Sequence, residues 1–322
     1  MEDRLLPINT VLGLLLPNDV TLPVLADSGF QLAGLEVPAS GVDGSVTIDA
    51  VLFHAETSHL VVLEAKAGAN VEARQALTYA SLTAPDVVQS AYVTLTRRAS
   101  PTIEFAYVCL TKHLERIQIG LDQLELRPPI LSVSEAAVRL AQAEGASSQL
   151  RGAFPDGHVP LLGSAPRMIA FDQDSDTKII KPHVLKILVA AMTTRLPQLS
   201  LTSLAEQATP QYALYGRRAQ NALRRKVADA ARLIAADDPA SFEVVPTNNT
   251  REGLVRILRT PEDNDPRGRT QAYQAIGKPP GKRRKRKKPE LPGQLDLLSA
   301  LESSDNGSTE EPATETQEEG EQ

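Results

Sequence analysis

Three residues in the first third of the chain have types and spacing suited to phosphodiester chemistry. Val46-Thr47-Ile48-Asp49 lies in one strand-like run, and Leu60-Val61-Val62-Leu63-Glu64-Ala65-Lys66 forms the next. Side chains alternate along a strand, so Glu64 and Lys66 point to one side, and an adjoining antiparallel strand can set Asp49 beside them. Two carboxylates and an ammonium then share one pocket. Carboxylate oxygens suit a hard cation such as Mg²⁺ (or Mn²⁺), and a metal held by Asp49 and Glu64 can polarise a phosphoryl group and acidify a bound water. Lys66 can orient or deprotonate that water and stabilise charge on the phosphate. This is the minimum equipment for hydrolysing a phosphodiester.

The elements that must position these residues follow from periodicity and turn punctuation. Up to residue 30, short helices are interrupted by Pro7, Pro17 and Pro23. A strand meander then runs from Gln31 to Val37, turns at Pro38-Ala39-Ser40-Gly41, continues over Val46 to Phe53, and returns over Leu60 to Glu64. Asn70 can cap a helix whose apolar positions Val71, Ala73, Leu77 and Ala80 are helically spaced. Val93-Thr94-Leu95 and Phe105 to Leu110 predict two further strands, and Glu135 to Ala143 another helix. The order predicts an α/β domain over residues 1–145. Gly, Pro and Asp clusters predict a linker over residues 146–177.

Ile48-Asp49 followed by Glu64-Ala65-Lys66 resembles the bipartite motif of the PD-(D/E)xK nuclease superfamily, with Ile48 in place of the Pro. Gln75-Ala76-Leu77-Thr78-Tyr79 resembles the QxxxY element of the branch related to the nuclease domains of recombination exonucleases. The resemblance covers roughly residues 30–110. It implies a restriction-endonuclease-like mixed sheet flanked by helices and a metal-dependent nuclease with Asp49, Glu64, Lys66, Gln75 and Tyr79 at its active site. Gln75 and Tyr79 are four residues apart on the predicted helix, hence on one face, where they could contact a DNA phosphate or steady Lys66. The acidic residue that the family often supplies from its first helix has no clear match. Glu36 is the nearest candidate, in or after a strand-like run.

His54 and His59 flank the hairpin between the two acidic runs and read as incidental turn residues rather than metal ligands. The single Cys, Cys109, closes an apolar strand, so no disulfide and no Cys-based zinc site can form within one chain. That points to a reducing, intracellular setting. The longest early apolar run, Val11 to Leu16, is too short to span a membrane, and Met1-Glu2-Asp3-Arg4 lacks a cationic signal-peptide head. The expected location is the cytoplasm, at the nucleoid.

The net charge of −6 conceals a division of charge along the chain. Residues 1–177 carry 11 Lys+Arg against 21 Asp+Glu, whereas residues 178–260 carry 13 against 6. A basic region points towards a polyanion. Helices over Pro182 to Leu196 and Leu201 to Ala208, a long third helix, and strands Phe242 to Val245 and Leu254 to Leu258 predict a winged helix-turn-helix over residues 178–260. On the third helix, Leu223, Val227, Ala230 and Ile234 form a core stripe, and Arg217, Arg218, Arg224, Arg225 and Lys226 a basic one. Such a helix can enter a major groove while Asn248, Asn249 and Arg251 at the wing reach the backbone.

Residues 261–322 lose periodicity and predict a disordered tail, basic and then acidic. Residues 278–288 hold 8 basic side chains, and residues 299–322 hold 8 acids and no base. Between them, Gln294-Leu295-Asp296-Leu297-Leu298 resembles the short peptide with which bacterial polymerases and repair proteins dock on the sliding clamp. Gln294, Leu295, Leu297 and Leu298 would make that contact. The expected function is a metal-dependent DNA nuclease in prokaryotic restriction, defence or repair. The rival is a DNA-binding regulatory or scaffold protein built on an inactive nuclease fold, and neither reading fixes the oligomeric state.

Overall fold

In a computed structural model, residues 3–93, 100–246 and 253–259 are described. The chain divides into two units, Met1–Lys278 and Pro279–Gln322, of which the second lies outside the described residues. Elements of the first unit run in the order α1 (Leu6–Gly13), α2 (Val24–Asp27), β1 (Phe30–Gly41), β2 (Gly44–His54), β3 (His59–Lys66), α3 (Ala73–Ser81), α4 (Ala84–Val88), β4 (Thr102–Leu110) and α5 (Leu114–Asp122). They continue with β5 (Ile130–Val133), β6 (Ala137–Gln142), α6 (Ser148–Gly152), β7 (His158–Pro160), α7 (Thr177–Thr193), β8 (Gln198–Ser200), α8 (Leu201–Ala208), α9 (Arg217–Asp237), β9 (Phe242–Val245) and β10 (Leu254–Ile257). Among the described residues, no helix is long and apolar enough to cross a membrane.

The fold is α/β. Seven strands form one mixed sheet in the order β1-β2-β3-β4-β5-β6-β7, so every strand lies beside its neighbours in sequence. β3, β4 and β5 are parallel, which requires crossovers, and α3, α4 and α5 supply them; the other pairs are antiparallel. Alternation along β3 sends Val61 and Leu63 to one apolar layer and Leu60 and Val62 to the other. A second sheet, β8-β10-β9, packs with α7, α8 and α9.

Three sequence expectations are corrected. β1 continues through Pro38 to Gly41, and the turn is the two-residue Val42-Asp43 between the paired Gly41 and Gly44. Pro38 is tolerated because β1 is an edge strand, where a missing N–H donor breaks no inner ladder. The helix expected over Glu135 to Ala143 is strand β6, in which buried Val138 and Leu140 alternate with exposed Arg139 and Ala141. That is the period of a half-buried strand. The strand expected at Val93-Thr94-Leu95 lies mostly outside the described residues.

The third correction concerns residues 146–177, which are no free linker. They carry α6 and the seventh strand, β7, and return along the amino-terminal helix. Asn9 donates to the Ile169 carbonyl at 2.9 Å and accepts from the Ile169 N–H at 2.5 Å, while Arg4 grips the Asp172 carboxylate with both terminal guanidinium nitrogens. One apolar core runs through both expected domains, joining Leu12, Leu52 and Val108 to Val184, Leu223 and Ile234. Area buried in such a shared core would be exposed by cutting the chain at 177. α7 likewise starts five residues before Pro182, where Asp176 accepts from the Lys178 N–H at 2.8 Å and caps it.

Candidate active site

The site forms where β2 and β3 part. Their ladder ends at the pair Ala50 and Leu63, and the next donor on β3, the Ala65 N–H, is taken by the Asp49 carboxylate at 2.6 Å. The aspartate side chain thus replaces a strand carbonyl. Glu64 is buried at 5% exposure, with one carboxylate oxygen 2.7 Å from Lys66 Nζ and the other accepting from the Tyr79 hydroxyl at 2.6 Å. Lys66 Nζ also donates to Gln75 Oε1 at 2.6 Å, and the Tyr79 hydroxyl approaches the Thr47 carbonyl at 2.9 Å. The two residues four apart on α3 therefore hold the two residues two apart on β3. All five expected residues, Asp49, Glu64, Lys66, Gln75 and Tyr79, come together.

Two further carboxylate sources enter from elements that sequence reasoning did not connect. Glu36 sits between the pairs Leu35 with Ala50 and Val37 with Ile48, across from Asp49, in a left-handed backbone conformation (φ 47°). That φ is uncommon outside Gly, Asn and Asp and marks strain next to the site. The loop after residue 171 brings Asp172, Gln173 and Asp174 to a cleft of about 260 Å³ beside Asp49, shared with Glu36 and Tyr215, which β3 lines through Ala65 rather than through Glu64 or Lys66. Gln173 Nε2 lies 3.4 Å from Glu36 Oε2. The only sequence signal for this loop was the Asp-x-Asp-Ser spacing, which reads equally as a turn.

Burial first, then Asp172, Asp174 and Glu64, push the Glu36 carboxyl up to about 7. Burial and the Glu64 charge raise Asp49 as well, against the lowering effect of the Ala65 N–H. Charge gathered this way calls for a counter-cation. Among the described residues, no three His, Cys, Asp or Glu side chains stand grouped to hold a metal ion. Mg²⁺ commonly needs only one or two carboxylates, completed by water and substrate phosphate, so Asp49 and Glu64 fit it by donor chemistry.

A pH prediction follows from Glu36. An acid whose folded pKa is raised above its unfolded value contributes stability below the unfolded value, and that stability is lost as pH rises towards 7. Taken from 4.5 to about 7, the shift corresponds to about 3 kcal/mol. In EDTA, Glu36→Gln is expected to melt several degrees above the wild type at pH 8 and close to it at pH 4.5. A pH-independent difference would contradict this.

The remaining candidates are placed as follows. His59 bonds Thr102 Oγ1 at 2.7 Å and Glu104 Oε1 at 2.9 Å, and His54 Nδ1 lies 3.0 Å from Thr57 Oγ1; neither lines the cleft. Cys109 is fully buried, and burial pushes its thiol up to about 11. On α9 the expected core stripe Leu223, Val227, Ala230 and Ile234 is buried. The basic stripe splits. Arg217, Arg218 and Arg225 are exposed along a groove, Arg224 is half-buried and donates to Asn221 at 3.1 Å, and Lys226 turns inward to donate to the Ser175 carbonyl at 3.0 Å. Asn248, Asn249 and Arg251, and the peptide from Gln294 to Leu298, lie outside the described residues.

Comparison with family models, with curated proteins and with solved structures finds no match to this chain.

Proposed function

We propose that the chain is a metal-dependent DNA nuclease. The observation that carries this reading is the union of Asp49, Glu64 and Lys66 at the parted end of β2 and β3, each fixed by a partner of its own. A divalent cation held by Asp49 and Glu64 would polarise the phosphoryl oxygen and acidify a water. Lys66 has three N–H donors, of which Glu64 and Gln75 occupy two, and the third is free for the attacking water or a phosphate oxygen. Tyr79 fixes the Glu64 carboxylate and keeps it from swinging onto Lys66 with both oxygens. Plasmid DNA is expected to be degraded with Mg²⁺ or Mn²⁺ and left intact with EDTA. Intact plasmid under all three conditions would overturn the reading.

The arrangement of α7, α8 and α9 with the hairpin β9-β10 supports a winged helix-turn-helix in the same unit, and the seven-stranded sheet supports a restriction-endonuclease-like fold. An enzyme of this design suits restriction, defence or repair at the nucleoid. The rival reading, a DNA-binding scaffold on an inactive nuclease fold, is favoured by one observation: both Glu64 oxygens are already engaged.

The tail peptide extends the proposal. A short linear peptide can enter an apolar pocket with Leu297 and Leu298 while the Gln294 amide sets orientation, at the modest affinity of such a contact. A peptide spanning Pro292 to Glu302 is expected to bind a bacterial sliding clamp at micromolar strength by calorimetry, and its Leu297→Ala, Leu298→Ala version not at all. Equal heats from both would remove clamp docking.

A further inference from the structure

The amino end of α9 is stitched to the active site. Tyr215 bridges Leu35 in parallel register, and the Gly216 N–H donates to the Leu35 carbonyl at 2.9 Å, one residue from Glu36. Gly216 has no side chain to cap the helix, so the first-turn N–H groups of a 21-residue helix stand open at its positive end. The first two helical positions are Arg217 and Arg218, cations where the helix dipole disfavours them. That combination carries a modest electrostatic cost, which a bound anion would offset.

Two observations relate such an anion site to the cleft. Tyr215 is 2% exposed, its hydroxyl has no hydrogen-bond partner among the described residues, and its side chain lines the cleft with Glu36 and Asp49. A buried hydroxyl without an acceptor carries a desolvation cost that a ligand oxygen would remove. On the other side, Arg217, Arg218, Asn221 and Arg225 line a groove of about 570 Å³ whose far wall is Gln173 and Asp174. Those same two residues line the cleft. The shared wall is held in place by Arg4 on Asp172 and by Lys226 on the Ser175 carbonyl.

We propose that the groove along α9 is the substrate track of the cleavage cleft, beside it across Gln173 and Asp174. Arg217 and Arg218 at the amino end of α9 hold a phosphodiester of the DNA strand adjacent to the one being hydrolysed, the strand continues past Asn221 and Arg225, and the Tyr215 hydroxyl takes a strand oxygen on the cleft side of that wall. The proposal rests on the nuclease reading and gives the site its substrate track. It also answers an electrostatic difficulty. Glu36, Asp49, Glu64, Asp172 and Asp174 repel a polyanion, and Arg4 is committed to Asp172, so the attraction has to come from cations at the rim.

The test uses the full chain and a fluorescein-labelled DNA duplex with Ca²⁺, read by anisotropy. Arg217→Gln/Arg218→Gln is expected to weaken binding at least tenfold and to flatten the slope of log affinity against log salt by about 0.9, the change for the one phosphate that the two arginines share. Tyr215→Phe should weaken binding severalfold with a Tm equal to or above the wild type, whereas a merely structural tyrosine would show a lowered Tm and unchanged binding. Arg232→Gln, on the same helix but paired with Asp229, should bind as the wild type does. In cleavage, the double variant should raise KM and leave kcat near the wild-type value. Binding within twofold of wild type by the double variant, an equal loss in Arg232→Gln, or a fall in kcat at unchanged KM would each overturn the proposal. A chain that binds in the expected pattern yet cuts nothing overturns the nuclease reading alone.

Discussion

Replacing Asp49, Glu64 or Lys66 by Ala is expected to lower the rate of DNA cleavage by at least about a hundredfold each, the scale of losing one positioned acid–base or electrostatic group. The three losses differ in kind. Asp49→Ala removes a carboxylate and also frees the Ala65 N–H it holds at 2.6 Å, so both metal affinity and the local strand end suffer. Glu64→Ala strips Tyr79 and Lys66 of a shared partner, and because the glutamate is buried, loss of fold has to be separated from loss of chemistry. Glu64→Gln does so, since an amide oxygen can still accept from Tyr79 while the charge is gone. Lys66→Ala leaves the carboxylates intact and should keep metal affinity while cleavage is lost. Gln75→Ala acts through Lys66 alone and should cost about tenfold or less. Full activity in Glu64→Gln, with a matched thermal melt, would sink the assignment.

Gly216→Ala is expected to lower Tm by several degrees. A Cβ at residue 216 would stand 2.4 Å from the Glu36 carbonyl oxygen and 2.8 Å from Pro38 Cδ. Neither neighbour is the end of a flexible side chain, so the backbone of β1 or the start of α9 has to move. The φ of −56° is ordinary, which makes the requirement for glycine one of space rather than of conformation. Overpacking of this kind costs about 1–3 kcal/mol. The displacement falls beside Glu36 and Tyr215, so DNA binding and cleavage should fall together with Tm. Gly152→Ala, where an added Cβ meets nothing within 4 Å, is the control and should change none of the three. A wild-type melting curve for Gly216→Ala would mean that α9 is not seated on β1 as described.

What was legible in the sequence was the chemistry carried by short spacings. Glu64 and Lys66 read correctly because strand alternation needs no tertiary information, and Gln75 and Tyr79 because a helix repeats at four. Asp49 was harder, since its place depends on where β2 and β3 part, and only the hairpin made it accessible. Glu36 could be named but not placed: its carboxyl reaches the site through an irregular backbone on an edge strand. Asp172, Asp174 and Tyr215 come from segments 100 or more residues further along, and no periodicity connects them to Asp49. The same limit explains the misreading of β6, where four apolar or small residues in six satisfy a helix or a strand, and of residues 146–177, whose Gly, Pro and Asp content describes turns without revealing that β7 lies between them.

The sheet joins each strand only to its neighbours in sequence, yet the cleft is closed by Asp172 and by Tyr215. During synthesis the strands can add one after another as they leave the ribosome, an order that favours early, local folding. Asp49, Glu64 and Lys66 would be assembled in the first strands to appear, but the wall that completes their pocket is still untranslated. Arg4 waits on a residue 168 positions later. On the nuclease reading, a half-made chain would have the reactive groups and no place to seat a substrate, a delay between making the protein and exposing the cell's own DNA to it.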